Sequence, residues 1–360
     1  MSRKGAICLY IELEFHQLRL PRKRFEIAYG VKESADVFIA EIRHGLHNGL
    51  GAGTPATSVG DSISNCRKGL TRARNLQIDP RMYFEEEEDL EVRDISPAAA
   101  AALDIAMWDL YSKSNGVSLA AAIGELAKEI PTDATIDLRR PEGAREDAAL
   151  RAKEGFKTIK VKVGRSLSED IERVKAVREA VGTGVRIFAD ANGGYSLGDA
   201  VRFWEEAAAF ELEFFEQPVP KDRMDDLAAL RGKGVRICAD ESVSDENSLA
   251  EVIKREAADI INIKLMKCGG ISSAIEMAGM ARDAGMEIMV GCMGDIGISI
   301  GAAAHFACGI EAEHVDLDSH LSIEPICDGP EVRNGSILLK DDPGHGIHLL
   351  DDWRSFRVAE

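Results

Sequence analysis

From residue 132 onward the chain alternates short apolar, β-branched runs with longer amphipathic ones, at a spacing of about 24 to 28 residues. The short runs, 134–138, 158–163, 186–190, 213–217, 236–240, 260–265, 287–291 and 314–318, read as strands. Between them, 142–154, 167–181, 197–209, 223–232, 248–257, 272–284 and 296–308 carry helical periodicity. Such alternation builds βα units and a parallel sheet. Eight strands with seven intervening helices favour a closed (β/α) barrel over an open doubly wound sheet. No GxGxxG follows an early strand, which speaks against a dinucleotide-binding version.

The first part of the chain has a different texture. Strands are expected over 6–14 and 35–43, joined through 21–33, a basic, turn-rich loop. Arg22, Lys23 and Arg24 in that loop read most simply as a solvated turn, with contact to a substrate carboxylate as the alternative. The Gly-, Thr- and Ser-rich stretch 45–60 reads as another loop, and 62–78 as a helix. The acids at 85–88 read as a solvated face. The stretch 96–127 is the clearest helical region. Pro97 suits a first helical position, 98–110 is apolar all round, and Lys113, Asn115 and Gly116 are stop signals. The loop-rich tail, 320–360, is expected to return toward the N-terminal region.

Composition narrows the function. A net charge of −18 on 360 residues speaks against a nucleic-acid or anionic-membrane partner. Apolar residues at 45% and charged residues at 29% are globular proportions. No run approaches the roughly 18 apolar residues of a membrane span. The first 20 residues carry Glu12 and Glu14 within their apolar stretch and do not read as a signal peptide, so a cytoplasmic location is expected. Seven cysteines without a CxxC pair read as buried, reduced thiols.

In a barrel, chemistry gathers where strands end. The second strand ends in Lys160-Val161-Lys162, whose lysines share one side. Facing the interior, they would be crowded and desolvated, with pKa values lowered toward the range useful for proton transfer. On a polar face they would be ordinary solvated lysines. The third, fourth and fifth strands end in Asp190, Glu216 and Asp240, each followed by turn residues. Three converging carboxylates would repel without a cation, and Mg²⁺ suits an all-oxygen site with open positions. Lys264 stands on the sixth strand, opposite the second, as a two-base mechanism requires. Asp316 and Asp318 end the eighth strand on one face and suit a cationic substrate group. Cys292, at the end of the seventh, reads first as packing. With Thr135 on the first strand it completes the list of candidate substrate contacts.

These residues resemble the enolase superfamily, within it the muconate-lactonizing-enzyme subgroup, and most of all the dipeptide epimerases. The resemblance rests on Leu103-Asp104-Ile105-Ala106-Met107-Trp108-Asp109, Lys160-Val161-Lys162, Asp190-Ala191-Asn192, Glu216-Gln217-Pro218, Asp240-Glu241-Ser242 and Lys264-Leu265-Met266-Lys267, in this order. It implies an α/β fold, a modified (β/α)7β TIM-type barrel with an α+β capping domain. The expected division is 1–127 for the cap, 128–319 for the barrel and 320–360 for a segment returning to the cap. It implies Mg²⁺ on Asp190, Glu216 and Asp240. It implies Lys162 and Lys264 as acid and base on opposite faces of an enolate, with Lys160 stabilising charge. It implies Asp316 and Asp318 as the site for a dipeptide's α-ammonium group. N-acyl amino acid racemase, o-succinylbenzoate synthase and cycloisomerase activities use the same scaffold. Homo-oligomers are compatible with the superfamily. Asp295, where many relatives carry Glu, and a loop at 50–53 without the usual Glu depart from the pattern.

Overall fold

The computed structural model describes residues 10–27, 30–84, 95–124 and 127–358. β1 (Glu12–Ile27), β2 (Gly30–His44) and β3 (His47–Gly53) form an antiparallel sheet in that order. Against it lies the helix Pro97–Asn115, which ends at Gly116 in the left-handed conformation (φ 67°). Gly49, Gly51 and Gly53 make that contact. A Cβ at each would stand 2.0 Å from a helix carbonyl oxygen, that of Ala106, Ala102 and Ala98 respectively. Strand period two meets helix period four, and only residues without a Cβ fit between them.

Two expected loops are therefore strands in part. Within 45–60 the strand is 47–53, whose glycines serve close packing, while Gly45 makes the β2–β3 turn (φ 61°) and 54–60 lies outside the strands. Residues 21–27 and 30–33 prolong the β1–β2 hairpin, whose register shifts between Pro21 and Phe25. The expected helix over 62–78 is Ile63–Arg74, with the Ser62 hydroxyl accepting from the Asn65 N–H. The acids at 85–88 and the start of the strand expected over 6–14 lie outside the described residues.

β4 (Glu129–Pro131) precedes the eight-stranded parallel sheet: β5 (Ala134–Ile136), β6 (Thr158–Lys162), β7 (Arg186–Asp190), β8 (Leu212–Glu216), β9 (Ile237–Ala239), β10 (Ile260–Ile263), β11 (Glu287–Gly291) and β12 (His314–Asp316). The seven expected helices lie between them with slightly shifted ends. β5 and β12 meet through the Asp133 N–H on the Val315 carbonyl (3.1 Å) and the Leu317 N–H on Thr132 Oγ1 (2.9 Å). Phe188, Phe214, Cys238, Ile260 and Met289 pack as one apolar cluster. Two residues further along each strand stand Asp190, Glu216, Asp240, Asn262 and Gly291, so strand alternation sets a polar layer above an apolar floor.

In the tail, β13 (Val332–Arg333) and β14 (Ser336–Leu338) pair, and β14 also pairs with β4. Bridges Leu18–Arg357 and Arg22–Ile323 tie the tail to β1, and Trp353 packs on His16 at 5.2 Å between ring centroids. The His345 N–H reaches Asp109 Oδ1 of the long helix at 3.0 Å. No helix among the described residues is long and apolar enough to cross a membrane.

Candidate active site

A cavity of about 870 Å³ opens at the strand ends. It is lined by Thr135, Lys160, Lys162, Asp240, Lys264, Cys292, Asp316 and Asp318 of the barrel and by Arg22 and Lys32 of the β1–β2 hairpin. β6 and β10 stand four strands apart, so Lys162 and Lys264 divide the mouth into halves. One half holds β7, β8 and β9 with Asp190, Glu216 and Asp240. The other holds β11, β12 and β5 with Cys292, Asp316, Asp318 and Thr135.

In the first half the three carboxylates are buried. Lys160 Nζ forms ion pairs with Asp190 Oδ2 (2.9 Å) and Glu216 Oε2 (2.8 Å) without hydrogen-bonding either, and Glu216 Oε2 has no hydrogen-bond donor among the described residues. Lys162 Nζ donates to Asp190 Oδ2 (2.5 Å) and Asn192 Oδ1 (3.0 Å). Lys264 Nζ donates to Asp240 Oδ2 (2.8 Å). Burial works to raise the Asp190 pKa, but Lys160 and Lys162 overcome it and bring it down to about 2. Burial likewise opposes ionisation of Asp240, and Lys264 and Lys267 hold its pKa below the ordinary value. Glu216 is pushed up to about 7 by burial and by the charges of Asp190 and Asp240. Mutual repulsion of this kind marks three carboxylates sharing one space, and an all-oxygen donor set with a buried oxygen that accepts no hydrogen bond fits Mg²⁺.

For Lys160 the expected lowering of the pKa is not what its neighbours produce, and Lys264 moves the same way. Burial lowers the Lys160 and Lys264 pKa values, but it is outweighed. Asp190, Asp316 and Glu216 hold Lys160 well above the ordinary lysine range, and Asp240 raises Lys264.

In the second half, Asp316 Oδ2 accepts from Lys160 Nζ (2.8 Å), and Asp318 Oδ2 accepts the Thr135 N–H (2.6 Å). Leu317 between them is fully buried, as strand alternation requires. The Sγ of Cys292 and one oxygen each from Asp316 and Asp318 lie within 4.8 Å of one another. Burial and the neighbouring Asp316 and Asp318 hold the Cys292 thiol well above its ordinary pKa, so it is neutral and a poor metal ligand. Two carboxylates beside a neutral thiol suit an ammonium group better. Asp295 is buried, with its pKa pushed up to about 6 by burial.

Several supporting residues escaped the sequence reading. Asn262 donates Nδ2 to Glu216 Oε1 (2.9 Å). Its signal was a lone amide in the apolar run Ile260-Ile261-Asn262-Ile263. The Gln217 side chain, on a residue with φ 34°, accepts the Asp240 and Ser242 N–H groups (3.0 and 3.1 Å). Lys267 Nζ donates to Asp240 Oδ1 (2.8 Å) and the Asn262 carbonyl (2.8 Å). Arg22 corrects the expected solvated turn. It lines the cavity half-buried, with Nε on Ser322 Oγ at 3.0 Å, while Lys23 and Arg24 are exposed.

Residues 143–353 match the family model described as "Enolase C-terminal domain-like". A hydrophobic dipeptide epimerase of Roseobacter litoralis is 32% identical over 343 residues, 93% of this chain and 98% of the relative. That of Enterococcus faecalis is 35% identical over 341 residues, 91% of this chain and 95% of the relative. Among solved structures, the N-succinyl Arg/Lys racemase of Bacillus cereus superposes with a TM-score of 0.92 at 29% identity, covering 97% of this chain and 98% of its own. The Enterococcus faecalis dipeptide epimerase, complexed with Mg and L-Leu-L-Tyr, superposes with a TM-score of 0.87 at 33% identity, covering 94% and 98%. The chain belongs to the enolase superfamily, in its muconate-lactonizing-enzyme subgroup. Within it, the protein is an isomerase, an epimerase or racemase of amino acid derivatives, and most resembles the dipeptide epimerases.

Proposed function

We propose that the protein is a Mg²⁺-dependent dipeptide epimerase that moves a proton between the two faces of the α-carbon beside the substrate carboxylate. The observation that carries this reading is the division of the barrel mouth, with Lys162 and Lys264 on opposite sides, a carboxylate trio on one flank and an aspartate pair on the other. Asp190, Glu216 and Asp240 would hold the metal. Bound there, Mg²⁺ supplies positive charge that offsets the charge developing on the substrate carboxylate, and takes up the negative charge that otherwise keeps Lys264 protonated.

The remaining work falls to this chain's residues. One lysine, neutral, takes the α-proton, and the C–H electron pair passes into the enolate. Lys160, the ammonium shared by the two flanks, stabilises that charge. The opposite lysine, protonated, delivers its proton to the other face, and the two lysines have then exchanged protonation states. Asp316 and Asp318 hold the α-ammonium of the first residue, which presents the second residue's α-carbon between the lysines. The dipeptide-epimerase relatives, one solved with Mg and a dipeptide, support this choice over N-acyl substrates, which have no ammonium.

A dipeptide library in D₂O with Mg²⁺, read by mass spectrometry and chiral analysis, tests the reading. One deuteron should enter the epimerised residue, and Asp316→Asn should abolish turnover while retaining Mg²⁺ binding. Turnover of N-acyl amino acids in place of dipeptides, or an active Asp316→Asn variant, would contradict the assignment.

A further inference from the structure

Glu241 follows Asp240 just after β9 and lines the cavity, yet the proposed reaction gives it no part. Burial and the charges of Asp240 and Asp190 oppose its ionisation, so a fourth carboxylate beside the trio is costly. Among the described residues its Oε2 is buried and accepts no hydrogen bond. Its Oε1 accepts one, from Asn192 Nδ2 at 3.1 Å.

Asn192 carries that contact to a proposed base. Its Oδ1 accepts from Lys162 Nζ at 3.0 Å, so one amide bridges the lysine of β6 and the carboxylate after β9. An ammonium only donates and a carboxylate accepts, so these two neighbours allow the amide a single orientation. The Asn192 backbone is fixed separately, in the left-handed region (φ 45°), with its N–H on Asp190 Oδ1 (2.8 Å). The Gly193 N–H that follows goes to the Gln217 carbonyl (2.7 Å). The soft torsion left is that of the amide itself, whose energy well is broad. Asn192 Nδ2 also stands 3.4 Å from Asp190 Oδ2, an oxygen that already meets Lys160 and Lys162. That same oxygen, 2.5 Å from Lys162 Nζ, belongs to the proposed metal trio, whereas Asn192 Oδ1 stands outside it.

We propose that Glu241 is a positioning residue for Lys162: by accepting from Asn192 Nδ2 it turns the amide oxygen toward the lysine nitrogen and aims one of the two bases at the substrate α-carbon. The inference rests on the reading of Lys162 as the base for one face. It makes the two bases unequal, because the brace ends on Lys162, while Lys264 Nζ donates to Asp240 Oδ2 (2.8 Å). Loss of the brace therefore falls on proton abstraction from one stereoisomer. A wholly structural role for Glu241 would touch both stereoisomers alike.

The test compares Glu241→Ala, Glu241→Asp and Glu241→Gln. Gln keeps an acceptor at full reach without the charge, and Asp keeps the charge but withdraws the acceptor by one methylene. Lys264 also feels the Glu241 charge, and this set separates charge from hydrogen bond. Exchange of the α-proton with D₂O is followed for each stereoisomer of one dipeptide. For the stereoisomer whose exchange Lys162→Ala abolishes, and for that one alone, Glu241→Ala and Glu241→Asp should be slower than Glu241→Gln by about tenfold or more, as for a misaimed base. Slowing of both stereoisomers alike, or a Glu241→Asp variant as fast as Glu241→Gln, would overturn the inference. A second readout needs no substrate. In ¹⁵N-lysine-labelled protein with Mg²⁺, the Lys162 Nζ signal, assigned by its loss in Lys162→Ala, should move further in Glu241→Asp than in Glu241→Gln. An equal or smaller displacement in Glu241→Asp would overturn the inference even where Glu241→Ala does not fold. The larger displacement together with no exchange of any substrate by the wild type would contradict the proposed reaction and uphold the brace.

Discussion

At the residue scale, the strand-end lysines and carboxylates were legible because each closes an apolar run, where a barrel puts its chemistry. Asn262, Gln217 and Lys267 were not, because their role is to hold other side chains, and a single amide in a strand has many ordinary uses. Asn262 shares its face with Lys264 by strand alternation, and removing it would leave Glu216 Oε1 without its 2.9 Å donor. In Asn262→Ala, Mg²⁺ affinity measured by titration calorimetry should fall by about tenfold or more. His305 is a buried residue outside the site, whose Nδ1 accepts the Ala120 N–H at 3.2 Å. Burial, helped by His345, pulls its pKa down from 6.5 to about 4. The folded state thus binds fewer protons than the unfolded chain, and the contribution of His305 to stability is lost as pH falls from 6.5 toward 4. Asn at 305 would accept the same hydrogen bond and would not titrate. The stability loss between about pH 7 and about pH 5, from urea unfolding, should be smaller in His305→Asn by about 2 kcal/mol.

At the scale of elements, the barrel strands and helices followed from periodicity, because βα units keep a regular length. The N-terminal sheet was less legible. Gly49, Gly51 and Gly53 looked like loop composition, since glycine marks turns far more often than it marks a strand packed on a helix backbone. Only the helix that shares their contact explains them, and that contact is distant in sequence. A Cβ at Gly51 would stand 2.0 Å from the Ala102 carbonyl oxygen and 2.7 Å from the Ala106 nitrogen, both backbone atoms that cannot rotate away. Gly51→Ala should lower unfolding free energy by about 3 kcal/mol. An unchanged denaturant midpoint would show that the sheet and helix are free to separate. The hairpin over 21–33 hid for a related reason. Its basic, turn-like composition serves the cavity, which Arg22 and Lys32 line, rather than the hairpin's own pairing.

At the scale of the molecule, barrel closure turns linear order into opposition. Strands that are successive in sequence are neighbours in space, so three carboxylates from β7, β8 and β9 fall side by side and Lys162 faces Lys264. This part of the site could be read from strand counting alone. The charge balance could not, because it depends on which ammonium reaches which carboxylate. Lys160, expected only to assist, is the hub that joins Asp190, Glu216 and Asp316. The net charge of −18 is thus partly spent inside one cavity, where lysines answer the acids. The proposed reaction needs two bases working from opposite faces of one α-carbon. Exchange of the α-proton with D₂O, followed by NMR for each stereoisomer of one dipeptide in Lys162→Ala and Lys264→Ala, tests it most directly. Each variant should lose exchange from one stereoisomer and keep it from the other, with the two losses complementary. Exchange of both stereoisomers in either variant, or loss of the same stereoisomer in both, would contradict it.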